Sequence, residues 1–599
     1  MKVALKIHSF LSTRKKKVLF LILILVLVNT VLYVNTLKYD FLKDDFPLIV
    51  NNQRIKNFDS FLSSLSSQFF TFPDNVYLNY WRPMTLFTFY LDYHFYGLNP
   101  AGFHLTNIIL NVLCSLAVFF IFTLIFSREY FSFFIAILFS AHPAHVGVVS
   151  WISGRTDMLG TLFLLSALIL LILFFSGKER KRSLYILSFF FFFAGLLSKE
   201  SVLIFPLIAT ILVPLIFFLK KGLFKINIGR ALFYTIPFWV GDGLFLILHN
   251  KFSGNQGILT DIFSVNITTV LKAIGAYTKM IVFPFFKTPY FSMSDINIYP
   301  ISYLLFSLIG ISLIVFIFIK KEKFPMTIFS TLLVIYMLPV INPDMVPSYP
   351  KIALRFVYLP VVFTGTFMLE AIFCARKRSL RILLIFFLII MSTFWFVRSV
   401  GLQRFFEDQE SYYNEINGLT AYHENDSSLL LPLALNKAQK GKINEALQYI
   451  ERALKFNKND KWKDIRETGN MLKANLLIAS GKRVEGKLLA EKINRETKEK
   501  EIKYFSYLVL AKYYEKEGEL EQSLRLMNKA VEISETPDIN FRIAVVLWKS
   551  GRINDALIHV DKAVAKVPSN KIYRRLQTAL ERIIITSPGY GEKIRNKFE

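Results

Sequence analysis

Residues able to do chemistry cluster beside the apolar segments of this chain. The run "VLFLILILVLVNTVLYV" (18–34) leads into "YDFLKDDFPLIVNN" (39–52), which sets Asp44 and Asp45 side by side just past a membrane-length stretch. "SAHPAHVGVVSWISGRTDMLG" (140–160) brings His142, His145, Arg155 and Asp157 close together at another apolar boundary. Arg82, Lys199 and Glu200 of "LLSKES", and Lys351, Arg355 and Tyr358 of "YPKIALRFVYLP" complete the set. Ionisable groups at a bilayer are costly to keep there, which makes them functional candidates. A carboxylate can take a proton from a reacting hydroxyl. Arg grips phosphate through two parallel hydrogen bonds, whereas Lys acts as a point charge; Arg82, Arg155, Lys199 and Arg355 are the phosphate candidates. His142 and His145, with Asp44 as a third ligand, could hold a divalent metal ion, although no H-E-x-x-H or H-x-x-E-H pattern supports zinc.

Each of these has a plainer alternative. The Asp pair could solvate a loop or cap a helix starting near Pro47. The cations could snorkel to lipid headgroups. The histidines could simply hydrogen-bond at the interface. His104, Asn107 and Asn111 fall at i, i+3 and i+7 on one helix face, a pattern best read as helix–helix contact.

The elements that position these residues follow from composition. The chain has 599 residues, 53% hydrophobic and 16% aromatic, with 61 Phe and a mean hydropathy of +0.42. Apolar blocks of spanning length recur near 18–34, 105–126, 131–147, 158–175, 184–198, 202–219, 231–248, 301–319, 326–341, 356–374 and 382–397, which predicts an all-α polytopic bundle of about eleven spans. A weaker run, 267–286, carries Lys272 and Lys279 and is read as re-entrant or interfacial. The basic clusters 14–17, 178–182, 220–221, 320–323 and 376–381 all fall inside under the positive-inside rule with eleven spans. This places the N-terminus in the cytoplasm and everything after Phe396 outside, and it puts Asp44 and Asp45 on the external face. The apolar run after the basic N-terminus has no small-residue cleavage site behind it, so it reads as an uncleaved span. The net charge of +27 is explained by these loop clusters. No basic, aromatic-interleaved stripe points to nucleic acid. Cys114 and Cys374 lie inside apolar runs and imply no disulfide framework.

After residue 398 the composition turns charged and helical, and repeats appear. "GKINEALQYIERAL" (441–454), "GELEQSLRLMNKAV" (518–531) and "GRINDALIHVDKAV" (551–564) align on Gly441/Ala446/Ala453, Gly518/Ser523/Ala530 and Gly551/Ala556/Ala563. "GKRVEGKLLAEKI" (481–493) is a degenerate copy with Gly486 at the small position. The period matches tetratricopeptide repeats (TPR), whose small residues let antiparallel helices cross closely. The expected organisation is a membrane domain over 1–398, a linker over 399–426 and a TPR solenoid over 427–599, a shape that binds peptides or proteins.

The motifs "DDFPLIVNN", "RPMTLFTFYLDY", "GFHLTNIILN", "HPAHVGVVSWISGRTDML", "LLSKES" and "RFVYLP", followed by TPRs, together resemble the transmembrane-and-TPR (TMTC-type) O-mannosyltransferases and their bacterial relatives. One departure is that Leu354 stands where relatives carry an acidic residue before the Arg, and Phe356 replaces a Tyr. The resemblance implies a GT-C glycosyltransferase with its active site on the external face. Such an enzyme moves a sugar from a polyprenyl-phosphate carrier to an acceptor, often a protein Ser or Thr hydroxyl. The first external loop of this superfamily supplies an acidic residue, which by motif is Asp44 or Asp45, with Asp45 favoured. Divalent metal dependence varies across the superfamily and stays open here. The TPR domain would recruit the acceptor and lie in the periplasm or lumen. A catalytically inactive TPR scaffold and a lipid-linked-sugar transporter are the competing readings. The transporter reading lacks its expected repeat symmetry, and the scaffold reading predicts loss of the loop charges that are present.

Overall fold

A computed structural model describes residues 14–66, 69, 80–176, 181–219, 228–253, 266–285, 300–320, 325–337, 352–412, 427–456, 463–566 and 571–586. All regular structure among these residues is helical. The chain divides into two compact units, the first ending at Tyr412. Lys351 lies outside the described residues.

In the first unit every one of the eleven apolar runs carries helix. Among the described residues, five helical stretches are long and apolar enough to cross a bilayer: Arg14–Lys38, Pro100–Phe126, Ile152–Phe175, Pro300–Ile319 and Arg378–Phe406. A sixth arises if Glu129–Ala141 and Pro143–Val149, bent by 51° at His142, count as one. Pro143 accounts for the break, since its ring cannot follow a straight helix and its nitrogen donates no hydrogen bond. Pairs of helices close over small residues. The helix Ile267–Val282 packs on Pro300–Ile319, and a side chain at Gly275 would collide with the Tyr303 carbonyl. Gly310 in turn makes room for Thr278.

The first unit extends beyond the expected boundary at 398. The helix Arg378–Gln403 carries Gln403, whose carboxamide donates to the Leu32 carbonyl at 2.8 Å. Asp40 N–H donates to the Glu407 carbonyl at 2.9 Å, and Lys43 Nζ reaches the Tyr412 hydroxyl at 3.3 Å. Residues 399–412, expected as linker, are therefore pinned to Leu32 and to the start of loop one, the first external segment over 35–104.

The second unit is a row of helical hairpins. Its second helices, Ile443–Phe456, Arg483–Glu496, Leu520–Ile533 and Ile553–Lys566, are each preceded by a glycine at positive φ: Gly441 (77°), Gly481 (96°), Gly518 (83°) and Gly551 (79°). Only glycine adopts that conformation without strain, so these residues end one helix and turn the chain into the next. Ala446, Gly486, Ser523 and Ala556 are all buried where the helices cross. A Cβ on Gly486 would come within 2.7 Å of the Ala474 carbonyl oxygen, so even the degenerate copy keeps the smallest residue where the packing requires it.

Candidate functional site

Asp44 and Asp45 have different surroundings. Asp45 is fully buried. One carboxylate oxygen accepts from Leu42 N–H at 2.8 Å. The other accepts from Ser153 N–H at 2.9 Å and from the Ser153 hydroxyl. Burial pushes its carboxyl up to about 7, against the pull of these hydrogen bonds. It precedes the turn Phe46–Val50 without capping it through its side chain. Asp44 is half-buried, and among the described residues its carboxylate has no hydrogen-bond or ion-pair partner. Trp151 Nε1 donates to the Leu42 carbonyl at 3.2 Å, a second tie between loop one and 149–153.

Arg155 is fully buried at the start of the helix Arg155–Ser176. Its Nη2 lies 2.6 Å from Asp92 Oδ2 and donates to the Phe103 carbonyl at 3.0 Å. Nε donates to Asn107 Oδ1 at 3.0 Å and Nη1 reaches Thr88 Oγ1 at 3.4 Å. The Phe89 ring stacks 4.8 Å from the guanidinium. The donors that could grip a phosphate are thus turned inward. The Asn107 amide donates to the Trp151 carbonyl at 3.0 Å and the Ile152 carbonyl at 3.3 Å, so its stripe does hold helices together.

The remaining cations gather elsewhere on the same unit. Arg82 forms a forked pair with Glu200, Nε to Oε1 at 2.9 Å and Nη2 to Oε2 at 2.7 Å, and lies over the Tyr80 ring at 4.2 Å. Lys199 forms a close ion pair with Asp157. Burial, with repulsion from Arg82 and Arg355, pulls the Lys199 ammonium down to about 8 despite Asp157. Arg355 is half-buried, with its guanidinium 5.0 Å from the Phe356 ring. Thus Arg82, Lys199, Arg355, Asp157 and Glu200 share one electrostatic neighbourhood, with three cations against two carboxylates. The helix Pro83–Tyr96 connects it to the segment that carries Asp44 and Asp45: Met84 N–H and Thr85 Oγ1 donate to the Leu197 and Ser198 carbonyls, while the same helix touches Phe46–Val50.

His142, His145 and Tyr358 are packed inside. His142 Nδ1 accepts from Ala144 N–H at 3.2 Å, which leaves Nε2 to donate to the Ile281 carbonyl at 3.2 Å. His145 Nε2 donates to the Tyr358 carbonyl at 2.9 Å. The Tyr358 hydroxyl donates to Asn111 Oδ1 at 2.7 Å, and Asn111 continues to Asn29 at 2.8 Å. Among the described residues no three His, Cys, Asp or Glu side chains group as a metal site, so His142, His145 and Asp44 are not brought together as ligands.

Sequence reading passed over Asp92 and Ser153. A signal for Asp92 was present. Thr85, Thr88 and Asp92 fall at i, i+3 and i+7, a polar stripe on an otherwise apolar helix, and all three turn toward neighbouring segments. Ser153 gave no such signal, because its role depends on where residue 45 folds.

The fold and the site together define a class: an all-helical membrane protein with ionisable loops at the helix ends, joined to a helical-repeat unit. Comparison with known proteins agrees. A tetratricopeptide repeat model matches residues 506–537, the third hairpin. Curated relatives are TMTC-type O-mannosyl-transferases. They include protein O-mannosyl-transferase F38B6.6 of Caenorhabditis elegans, 34% identical over 154 residues (25% of this chain, 22% of that protein). Human TMTC1 is 31% identical over 141 residues (23% of this chain, 16% of that protein), and mouse TMTC4 is 30% identical over 147 residues (22% and 20%). The chain spans about a fifth of the length of the curated relatives it matches.

Proposed function

We propose that this chain is a membrane glycosyltransferase that moves a sugar from a polyprenyl-phosphate carrier to a hydroxyl of a protein acceptor. The gathering of Arg82, Lys199 and Arg355 around Asp157 and Glu200 carries the reading, because it offers the positive charge that a departing carrier phosphate needs. The relatives' names, protein O-mannosyl-transferases, point to mannose and a protein.

The acceptor oxygen attacks the anomeric carbon, the bond from that carbon to the phosphate oxygen breaks, and its electron pair leaves with the carrier phosphate. The acceptor proton passes to a carboxylate. Asp44 suits that role better than Asp45, the residue favoured on sequence alone, because it is half-buried and without a side-chain partner among the described residues, while Asp45 is enclosed and already accepts three hydrogen bonds. Arg82, Lys199 and Arg355 take the phosphate charge. Arg155 holds the scaffold. The TPR unit, on the outer side of the membrane after an eleventh span, recruits the acceptor.

The test is turnover by the purified full chain with polyprenyl-phosphate mannose and a Ser/Thr-rich peptide, followed by a panel of other sugars on the same carrier. Free carrier phosphate and glycosylated peptide are the expected products. Absence of turnover with every sugar, while the carriers still bind, would sink the enzyme reading and favour an inactive scaffold.

A further inference from the structure

A buried line of polar contacts runs from the helix Pro83–Tyr96 to the candidate carboxylates. It starts at Asp92, which accepts from Thr106 Oγ1 at 2.8 Å and pairs with Arg155 at 2.6 Å. Arg155 donates to Asn107, which holds the carbonyls of Trp151 and Ile152. The next residue, Ser153, donates both its N–H and its hydroxyl to Asp45. Asp45 in turn fixes Leu42 N–H, closing the turn that displays Asp44. Asp92, Asn107, Ser153, Arg155 and Asp45 are all nine-tenths or more buried.

We infer that Asp92 and Arg155 form a positioning pair that holds the turn 42–45, and with it the Asp44 carboxylate, in working geometry. Such a line transmits position because each link is a buried charge or hydrogen bond, where losing one partner leaves the other costly to satisfy. The planar guanidinium supplies direction: its donors reach three elements at once, Pro83–Tyr96, Pro100–Phe126 and the segment 149–153 through Asn107. Trp151 Nε1 on the Leu42 carbonyl and Lys43 Nζ on the Tyr412 hydroxyl also tie this turn, but the Asp45 carboxylate is the group that spans it from Leu42 N–H to Ser153. The pair does not touch substrate, and the inference rests on the reading of Asp44 as base.

The experiment uses the full chain in nanodiscs, with Asp92→Asn and Ser153→Ala variants. Hydrogen exchange tests the linkage without any chemistry. In Asp92→Asn, amides of 40–46 and 149–153 should exchange at least about tenfold faster, with the helix Arg378–Gln403 unchanged. Unchanged exchange at 40–46, or a uniform rise across the whole unit, would overturn the proposal. If Asp92→Asn does not fold, Ser153→Ala is read the same way, and unchanged exchange at 40–46 overturns it. With polyprenyl-phosphate mannose as donor, kcat should fall about 10- to 100-fold at unchanged donor affinity. In an Asp44→Asn background Asp92→Asn should cost nothing more. Weakened donor binding at unchanged kcat would instead make Arg155 a phosphate ligand and overturn the proposal. Full activity of Asp44→Asn alone would remove the base reading, while the exchange data would still decide the linkage.

Discussion

Asp44 and Asp45 should respond oppositely to the same change. Asp44→Asn removes a half-buried carboxylate with no partner among the described residues, so the melting temperature should stay put while transfer falls about 10²- to 10⁴-fold, the usual effect of losing a positioned base. Asp45→Asn places an amide N–H against Leu42 N–H or weakens the contacts with Ser153. It should cost about 1–3 kcal/mol of stability, read as a lower melting temperature. A stable Asp45→Asn with normal transfer would contradict the geometry. Lys199 predicts a pH dependence. As the proposed phosphate ligand it would act only while protonated, and burial pulls its ammonium down to about 8. Donor affinity should therefore be full below pH 8 and fall above it, by up to about tenfold per pH unit. Lys199→Arg, charged at every accessible pH, should abolish the fall; an unchanged profile in that variant would assign the titration to another group. The residue types of this site were legible in the sequence, because charged side chains beside apolar runs stand out. Their partners were not: the partitioning of Asp44 from Asp45, and of Arg155 from Arg82, depends on which chain segments meet in space.

At the scale of elements, the hairpin repeats were the most readable part of the chain. Their glycine turns and small crossing residues recur in phase, and each has a local steric cause. Gly486 offers the sharpest test. Alanine there would press on the Ala474 carbonyl at 2.7 Å, a contact that forces the helices Lys463–Ala479 and Arg483–Glu496 apart. Gly486→Ala should destabilise the repeat unit by about 1–3 kcal/mol, measurable as a lower melting temperature, whereas Gly243→Ala, with open space around it, should not. The membrane helices were readable as apolar runs but less so in their ends. Pro143 turns one run into two bent pieces, and polar side chains such as Asn29, Asn111 and Ser140 join helices far apart in sequence through contacts that no local pattern reveals.

For the whole molecule, the placement of basic loops predicts that a reporter active only outside the cytoplasm will be active when fused after Glu599. Activity from a cytoplasm-only reporter at that point would reverse the orientation. The boundary between units lies at Tyr412, later than composition suggested, because the tail of the helix Arg378–Gln403 and the residues after it grip loop one. A truncation that removes the repeats should therefore stop after residue 412. Such a chain should keep donor binding and slow hydrolysis of the sugar phosphate while losing transfer to protein. Truncation at 398 should lose both, since Gln403 and Glu407 would go with it.

The glycine seam between Ile267–Val282 and Pro300–Ile319 bears on how the chain is made. A segment carrying Lys272 and Lys279 gains little by partitioning from the insertion machinery into lipid alone. Its partner is far more apolar, and Gly275 and Gly310 let the two backbones meet closely enough for that partner to shelter it. The earlier segment, read as re-entrant or interfacial, would then settle against the bundle only once its partner has been made, so a ribosome paused between the two would leave it without cover.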